Sequence, residues 1–250
     1  MKRLIRLIKF FKNKYTPWYI ADYRKFIKLS KGNTDFIIKD NYPCTKDKFL
    51  SSGISSGHYF NQDIYVAREI FKAHPIKHVD IGSRIDGLIA HLVVFRELEV
   101  FDIRPMDNEV KNVVFRQVDF MNEARIIENY CDSISCLHTI EHFGLGRYGD
   151  EIDPNGHLKG FKTISRMLKP NGIFYFSVPM GPSLIEFNAH RIFGLKYLID
   201  WVNVEYDIQK FSFIDDNGQI NEDVILNDDL TMNNCKCYHG CAIFVLKKKQ

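Results

Sequence analysis

The 250-residue sequence predicts a doubly wound α/β fold, a mostly parallel seven-stranded sheet covered on both faces, with a helical extension before it. Three observations carry this reading. From position 77 onward, short apolar runs alternate with amphipathic helical stretches. Strands separated by helices of that length pair in parallel through right-handed crossovers. A glycine-bearing turn follows the first strand, where such sheets receive ligands. The composition, 45% apolar and 26% charged, is that of a chain with a packed core.

The elements follow in order. Residues 1–14 set Leu4, Ile5, Leu7, Ile8 and Phe11 at helical spacing among basic residues, and Pro17 opens a second helix over Trp18–Leu29. Residues 30–60 are rich in Ser, Gly and Asn and read as a connection. Asn61–His74 is an amphipathic helix closed by Pro75. The strands are His78–Ile81, Glu99–Ile103, Asn112–Gln117, Asp132–Leu137, Ile173–Val178, Lys210–Ile214 and Cys241–Leu246. Helices are expected over Leu88–Phe95, Ala124–Tyr130, His157–Leu168 and Ile192–Ile199, the third stopped by Lys169-Pro170-Asn171-Gly172. The division is therefore a basic extension and connection over 1–56 and a catalytic-type domain over 57–250.

Charge is uneven. Residues 1–31 hold ten Lys/Arg and one acid, a net +9, which leaves the rest at −6 within a total of +3. An acidic body argues against a nucleic-acid partner. Six cysteines do not form a disulfide framework at this length, and Arg6, Lys9 and Lys12 interrupt any secretory hydrophobic stretch. No uncharged apolar run approaches the ~20 residues of a membrane span. The expected compartment is the cytoplasm.

The turn Asp80-Ile81-Gly82-Ser83-Arg84-Ile85-Asp86-Gly87 joins the first strand to a helix whose N-terminus carries positive potential. Its glycine spacing resembles a nucleotide-hydrolase loop, but Leu88 and Ile89 stand where Lys and Ser/Thr are required. The dinucleotide pattern fails too, with Arg84 at its second glycine. Asp102 ends the second strand, where an acid grips ribose hydroxyls, and Asp119 ends the third, within reach of an adenine amino group. Each acid alone could be a helix cap; three at successive strand ends point to a ligand.

Asp80-x-Gly82, Asp102, Asp119, Thr139-Ile140-Glu141-His142-Phe143 and Leu168-Lys169-Pro170-Asn171-Gly172 resemble, in order, the motifs of class I S-adenosylmethionine-dependent methyltransferases. Asp80–His91, Ser135–Lys159 and Glu186–Phe193 also resemble a methyltransferase-like domain of unknown function met in bacterial surface-polysaccharide gene clusters. The resemblance covers about residues 57–246, with Arg84 and Asp86 where most methyltransferases have glycine. It implies a Rossmann-like methyltransferase fold whose last strand is antiparallel. It further implies S-adenosylmethionine lying across Asp80, Gly82, Ser83, Gly87, Asp102, Ile103, Asp119 and Phe120. The function it implies is O-methylation of a small-molecule, sugar or glycan acceptor. The alternative is a catalytically eroded scaffold or binding protein attached to a membrane surface.

His138-Thr139-Ile140-Glu141-His142 also fits the inverted zinc-protease signature, but it leaves a strand and meets Gly144 almost at once, so the long helix that chemistry needs is missing. His142 or His138 serves instead as general base to an acceptor hydroxyl, oriented by Glu141. A divalent metal held there as in RNA 3′-end methyltransferases, with His190 as a further ligand, is the lesser alternative. Arg147 and Tyr148, in the glycine-rich loop Phe143–Asn155, and His190 are the expected substrate-binding residues. Cys235-x-Cys237-x-His239-x-Cys241 has metal-like spacing but reads as alternate positions of one strand. The N-terminal arm can lie on an anionic membrane at its inner face, or pack on its own sheet or a second subunit. No feature of the sequence sets an oligomeric state.

Overall fold

The computed structural model describes residues 16–32, 35–53, 55–107, 109–122 and 127–250. They fall into two compact units that divide between Gly53 and Ser55. The arm over residues 1–14 and the first part of the helix expected over Ala124–Tyr130 lie outside the described residues; Ile127–Tyr130 is not helical.

In the first unit, α1 (Pro17–Leu29) begins with proline at its first turn and buries no residue. Ser30 ends it by donating its hydroxyl to the Phe26 carbonyl at 2.8 Å. A turn at Asp47–Phe49 interrupts the expected connection. Lys48 there lies 4.1 Å over the Trp18 ring and 2.9 Å from Asp22.

The second unit opens with α2 (His58–Ala73), which starts three residues before the expected helix. The strands are β1 (His78–Ile81), β2 (Leu98–Asp102), β3 (Val113–Gln117), β4 (Cys131–Leu137) and β5 (Leu168–Met180). After them come β6 (Leu184–Glu186), β7 (His190–Ile192), β8 (Tyr206–Ile214), β9 (Ile220–Asn221) and β10 (Gly240–Lys248). The main sheet runs β3-β2-β1-β4-β5-β10-β8-β9. The pairs from β3 to β5 are parallel, and β10 is antiparallel to both β5 and β8. This is the expected seven-stranded sheet with a two-residue edge strand, β9, added to it.

Between the strands lie a π-helical turn, Ile85–Ile89, running into α3 (Ala90–Leu92), then α4 (Gly156–Met167), α5 (Leu195–Val202) and α6 (Asp228–Met232). Strand side chains alternate between two apolar layers. Phe174, Phe176, Phe244 and Leu246 face one layer with Phe161 of α4 and Leu198 of α5. Tyr175, Ile243 and Val245 face the other with Tyr65, Val66 and Ile70 of α2 and Leu88, Ile89 and Leu92. Each fully buried aromatic or aliphatic side chain contributes about 1.5–3 kcal/mol.

Four expectations need correction. The helix placed at Leu88–Phe95 ends at Leu92, and it is led into by a π-helical turn from Ile85 that the non-helical Gly87 (φ −114°, ψ −121°) interrupts. The helix placed at Ile192–Ile199 starts at Leu195, since Leu184–Glu186 and His190–Ile192 form a hairpin and Phe193 bridges to Met180. The strand at Lys210 begins earlier, at Tyr206. Cys235–His239 is not extended: Asn234–Lys236 is a tight turn held by the Asn233 side chain, which accepts from the Lys236 N–H. No helix among the described residues is long and apolar enough to cross a membrane.

Candidate functional site

The chain reverses its direction of travel across the sheet between β1 and β4, and the crevice at their carboxyl ends is where this architecture binds ligands. Asp80, near the end of β1, is wholly buried. Its carboxylate accepts from the Ser83 N–H at 3.0 Å, the Ser83 hydroxyl at 2.8 Å and the Ser135 hydroxyl. Burial raises its pKa to about 6, against those bonds. Asp80 thus organises the turn from beneath and does not line the cleft.

Gly82 has φ +73°, and a Cβ on it would lie 2.3 Å from Thr139 Cγ2, so glycine is required for the turn to close on the end of β4. Gly87 is tight for a different reason: a Cβ there would lie 2.5 Å from an Asp63 carboxylate oxygen. Asp63 comes from α2 and is buried; burial raises its pKa to about 7, while Gln62 and the Leu88 N–H draw it down. Sequence reading missed this acid. Arg84 and Asp86, the departures from the methyltransferase pattern, pair with each other at 2.7 Å and are both mostly exposed.

At the end of β2, Asp102 accepts from the Arg104 N–H at 2.8 Å and its guanidinium at 3.0 and 2.5 Å. Arg104 in turn lies 4.6 Å over the Tyr148 ring. Beyond β3, Asp119 accepts from the Met121 N–H at 2.9 Å, and buried Phe120 packs edge-on against Phe101. Gly82, Asp102, Ile103, Asp119 and Phe120 line one cleft together with Thr139 and His142. A larger cleft includes Asp63, Ser83 and Arg147, and shares Gly82, Asp102, His138, His142 and Tyr148 with the first.

The His138–His142 segment leaves β4 through a left-handed residue, His138 (φ 48°), into a tight turn, Ile140–His142. Non-glycine residues rarely hold that conformation, and those that do cluster at functional sites. His138 Nδ1 bonds to Glu141 Oε1 at 2.9 Å; Glu141 is 1% exposed. Burial lowers the basicity of His138, but Cys241 and Glu141 outweigh it and hold the pKa well above the ordinary value.

His142 is fixed differently. Its Nδ1–H donates to the Ala189 carbonyl at 2.6 Å, which leaves Nε2 as the acceptor, 3.8 Å from Glu141 Oε1. Burial, with Arg147 and His138, holds its pKa below the usual value, Glu141 and Ala189 opposing. His142 is therefore neutral near pH 7, with a lone pair available to take a proton. Glu141 contacts His138 more closely than His142. Arg147 donates to the Ala189 carbonyl at 3.0 Å, and Tyr148 meets the His142 ring edge-on at 5.5 Å.

His190 lines neither cleft; it sits on β7 against His239, with ring centroids 5.6 Å apart. Its neighbour Arg191 is buried and donates to the carbonyls of Glu141, Phe143 and Pro154, at 3.2, 2.6 and 3.1 Å. That guanidinium ties the histidine turn to the glycine-rich loop, which Asp150 closes by accepting from the Gly144, Gly146 and Tyr148 N–H groups. Sequence reading did not single out Arg191, although it lies within the Glu186–Phe193 segment, because its role comes from carbonyls across the fold.

Several solved structures share this fold. The [4+2]-cyclase SpnF aligns with a TM-score of 0.54 at 10% identity, covering 79% of this chain and 86% of its own. A putative sarcosine dimethylglycine methyltransferase from Galdieria sulphuraria aligns at 0.51 and 14% identity, over 76% and 86%. The N-methyltransferase NodS from Bradyrhizobium japonicum WM9, in complex with S-adenosylhomocysteine, aligns at 0.50 and 11%, over 90% and 98%. No curated protein matches the sequence. The Rossmann-like methyltransferase fold is thus shared at identities that speak for the fold alone. A family model described as "Caenorhabditis protein of unknown function, DUF268" matches residues 91–247, and the chain belongs to that family.

Proposed function

We propose that this protein is an S-adenosylmethionine-dependent methyltransferase acting on a hydroxyl of a small, polar acceptor, a sugar or glycan precursor of a surface polysaccharide. One observation carries the reading. The glycine turn, the acids Asp102 and Asp119 and His142 line one cleft at the carboxyl ends of the strands, where this architecture receives ligands.

The residues present fit the cofactor. Asp102 would hold the ribose hydroxyls and Asp119 and Phe120 the adenine, with the Gly82 turn lining the same cleft beside them. When bound, S-adenosylmethionine supplies an electrophilic methyl group on sulfur. His142 Nε2 would take the proton of the acceptor hydroxyl, a role suited to a neutral imidazole. His142 is kept in that tautomer by the Ala189 carbonyl. Arg147 and Tyr148 orient the acceptor from the loop, in the larger cleft. The basic N-terminal arm would hold the enzyme at the inner membrane face, beside lipid-linked precursors.

A second reading, a cofactor-free scaffold, is favoured by the Arg104 guanidinium, which occupies both oxygens of Asp102. Calorimetry with S-adenosylhomocysteine separates the two. Micromolar binding that weakens by about 1–3 kcal/mol in Asp102→Ala supports the methyltransferase. No heat of binding, with the fold intact by circular dichroism, establishes the scaffold.

A further inference from the structure

We propose that His58, His138 and Cys241 form a transition-metal site, with zinc as its occupant. The three residues are far apart in sequence and are brought together by the first turn of α2, the exit of β4 and the start of β10. One donor atom from each lies within 4.8 Å of the other two. Around a tetrahedral zinc, with bonds of about 2.0–2.3 Å, neighbouring donors stand about 3.3–3.7 Å apart. A contraction of about 1 Å therefore completes the set.

The state of His138 is the second, independent observation. Its side chain is 6% exposed, and Nδ1 is engaged by Glu141, leaving Nε2 buried with no hydrogen-bond partner. A buried polar atom left unpaired is destabilising, and a bound cation would remove that cost. A carboxylate holding one imidazole nitrogen so that the other faces the metal is the usual outer arrangement of histidine ligands. Glu141, itself 1% exposed, is placed for that role.

Cys241 fits as the soft donor. It is wholly buried, and its sulfur lies beside His138 and in long contact, 3.7 Å, with the Gln62 and Ala242 oxygens. His58 stacks on His138 with ring centroids 5.5 Å apart, so both imidazoles already share one side of the cavity. Two nitrogens and one thiolate favour zinc over magnesium or calcium. Three protein donors also leave one tetrahedral position for water or an oxygen ligand, the pattern of catalytic rather than structural zinc. His138 lines both clefts, so this position adjoins the proposed methyl-acceptor site. His142 and His190 are not part of the set; the Ala189 carbonyl and His239 engage them. The metal site stands whether or not the methyl-transfer reading holds.

Cobalt(II) titration of the full-length, chelator-treated protein tests it. One equivalent should bind with a thiolate-to-cobalt charge-transfer band and a tetrahedral visible spectrum, and zinc should displace it. Cys241→Ser should abolish the band, and His58→Gln should weaken binding by at least tenfold. Glu141→Gln should weaken it by about 10- to 100-fold while the band persists at saturation. Binding without a charge-transfer band in the wild-type protein would overturn the site, whatever the folding of the variants. So would a band that survives Cys241→Ser, since it would come from Cys235 or Cys237.

Discussion

Asp63→Asn isolates the electrostatic cost of placing an acid behind the glycine turn. The Asp63 carboxyl is raised from 3.8 to about 7, with burial as the largest cause and the neighbouring Asp80 charge adding to it. The native state therefore holds a proton that the unfolded chain has already released between those two pH values. In that window stability falls as pH rises, and the loss is complete above pH 7. At 1.36 kcal/mol per tenfold, the full loss is about 4 kcal/mol. Asparagine keeps the shape and remains neutral, so it should match or slightly trail the wild type at pH 4. By pH 8 it should be the more stable protein by up to about 4 kcal/mol. Urea unfolding of both proteins at half-unit pH intervals measures this, and taking their difference cancels every other titrating group. A difference that stays flat from pH 4 to pH 8 would refute the reasoning, since it would mean that Asp63 is solvated and ionised throughout.

Three further outcomes follow. Gly82→Ala should destabilise the protein by about 2–5 kcal/mol, from its positive φ and the encounter with Thr139, and Thr139→Ala should recover part of this in urea unfolding. His78, buried between Ser133 and Ser135 with its pKa lowered to about 3 by burial, should show ring resonances that do not move between pH 8 and pH 5. Because its unfolded form titrates near 6.5, His78 contributes stability above that pH that is lost as pH falls toward 3. Finally, full-length protein should sediment with anionic vesicles at low salt, by about 1 kcal/mol per basic residue of the arm, while a chain starting at Ser30 should not; equal sedimentation of the two would end the membrane proposal.

The middle of the sheet was legible because strands there are buried on both faces and so appear as continuous apolar runs, as in Ile173–Val178 and Cys241–Leu246. The Leu184–Ile192 hairpin was not, since β6 is exposed along its length and offers no apolar contrast. Ile192 and Phe193 were then absorbed into the helical period that properly begins at Leu195. At the site, Asp102 and Asp119 were readable from their places after strands. Asp63 was not, because its meaning comes from Gly87, across the fold. The Cys235–Cys241 run shows the same limit: local spacing suggested a strand, whereas Asn233 bends the chain and Cys235 adopts φ 55°. Only Cys241 of that run reaches the His138 turn, and its companion His58 stands 183 positions earlier in the chain.

The sheet's assembly order sets a condition on biosynthesis. Among the described residues β10 is the last of the ten strands to be made, yet it sits inside the sheet and pairs with β5 on one side and β8 on the other. Until residues 240–248 have left the ribosome, β5 and β8 present open edges lined by Phe174, Phe176, Phe211 and Phe213, which are otherwise buried. Such edges invite pairing with other nascent chains. The β1–β5 half can collapse before β10 is made, but closure of the core and delivery of Cys241 wait for β10. Stalled or C-terminally clipped chains should therefore be substrates for chaperones and proteases rather than partly active species.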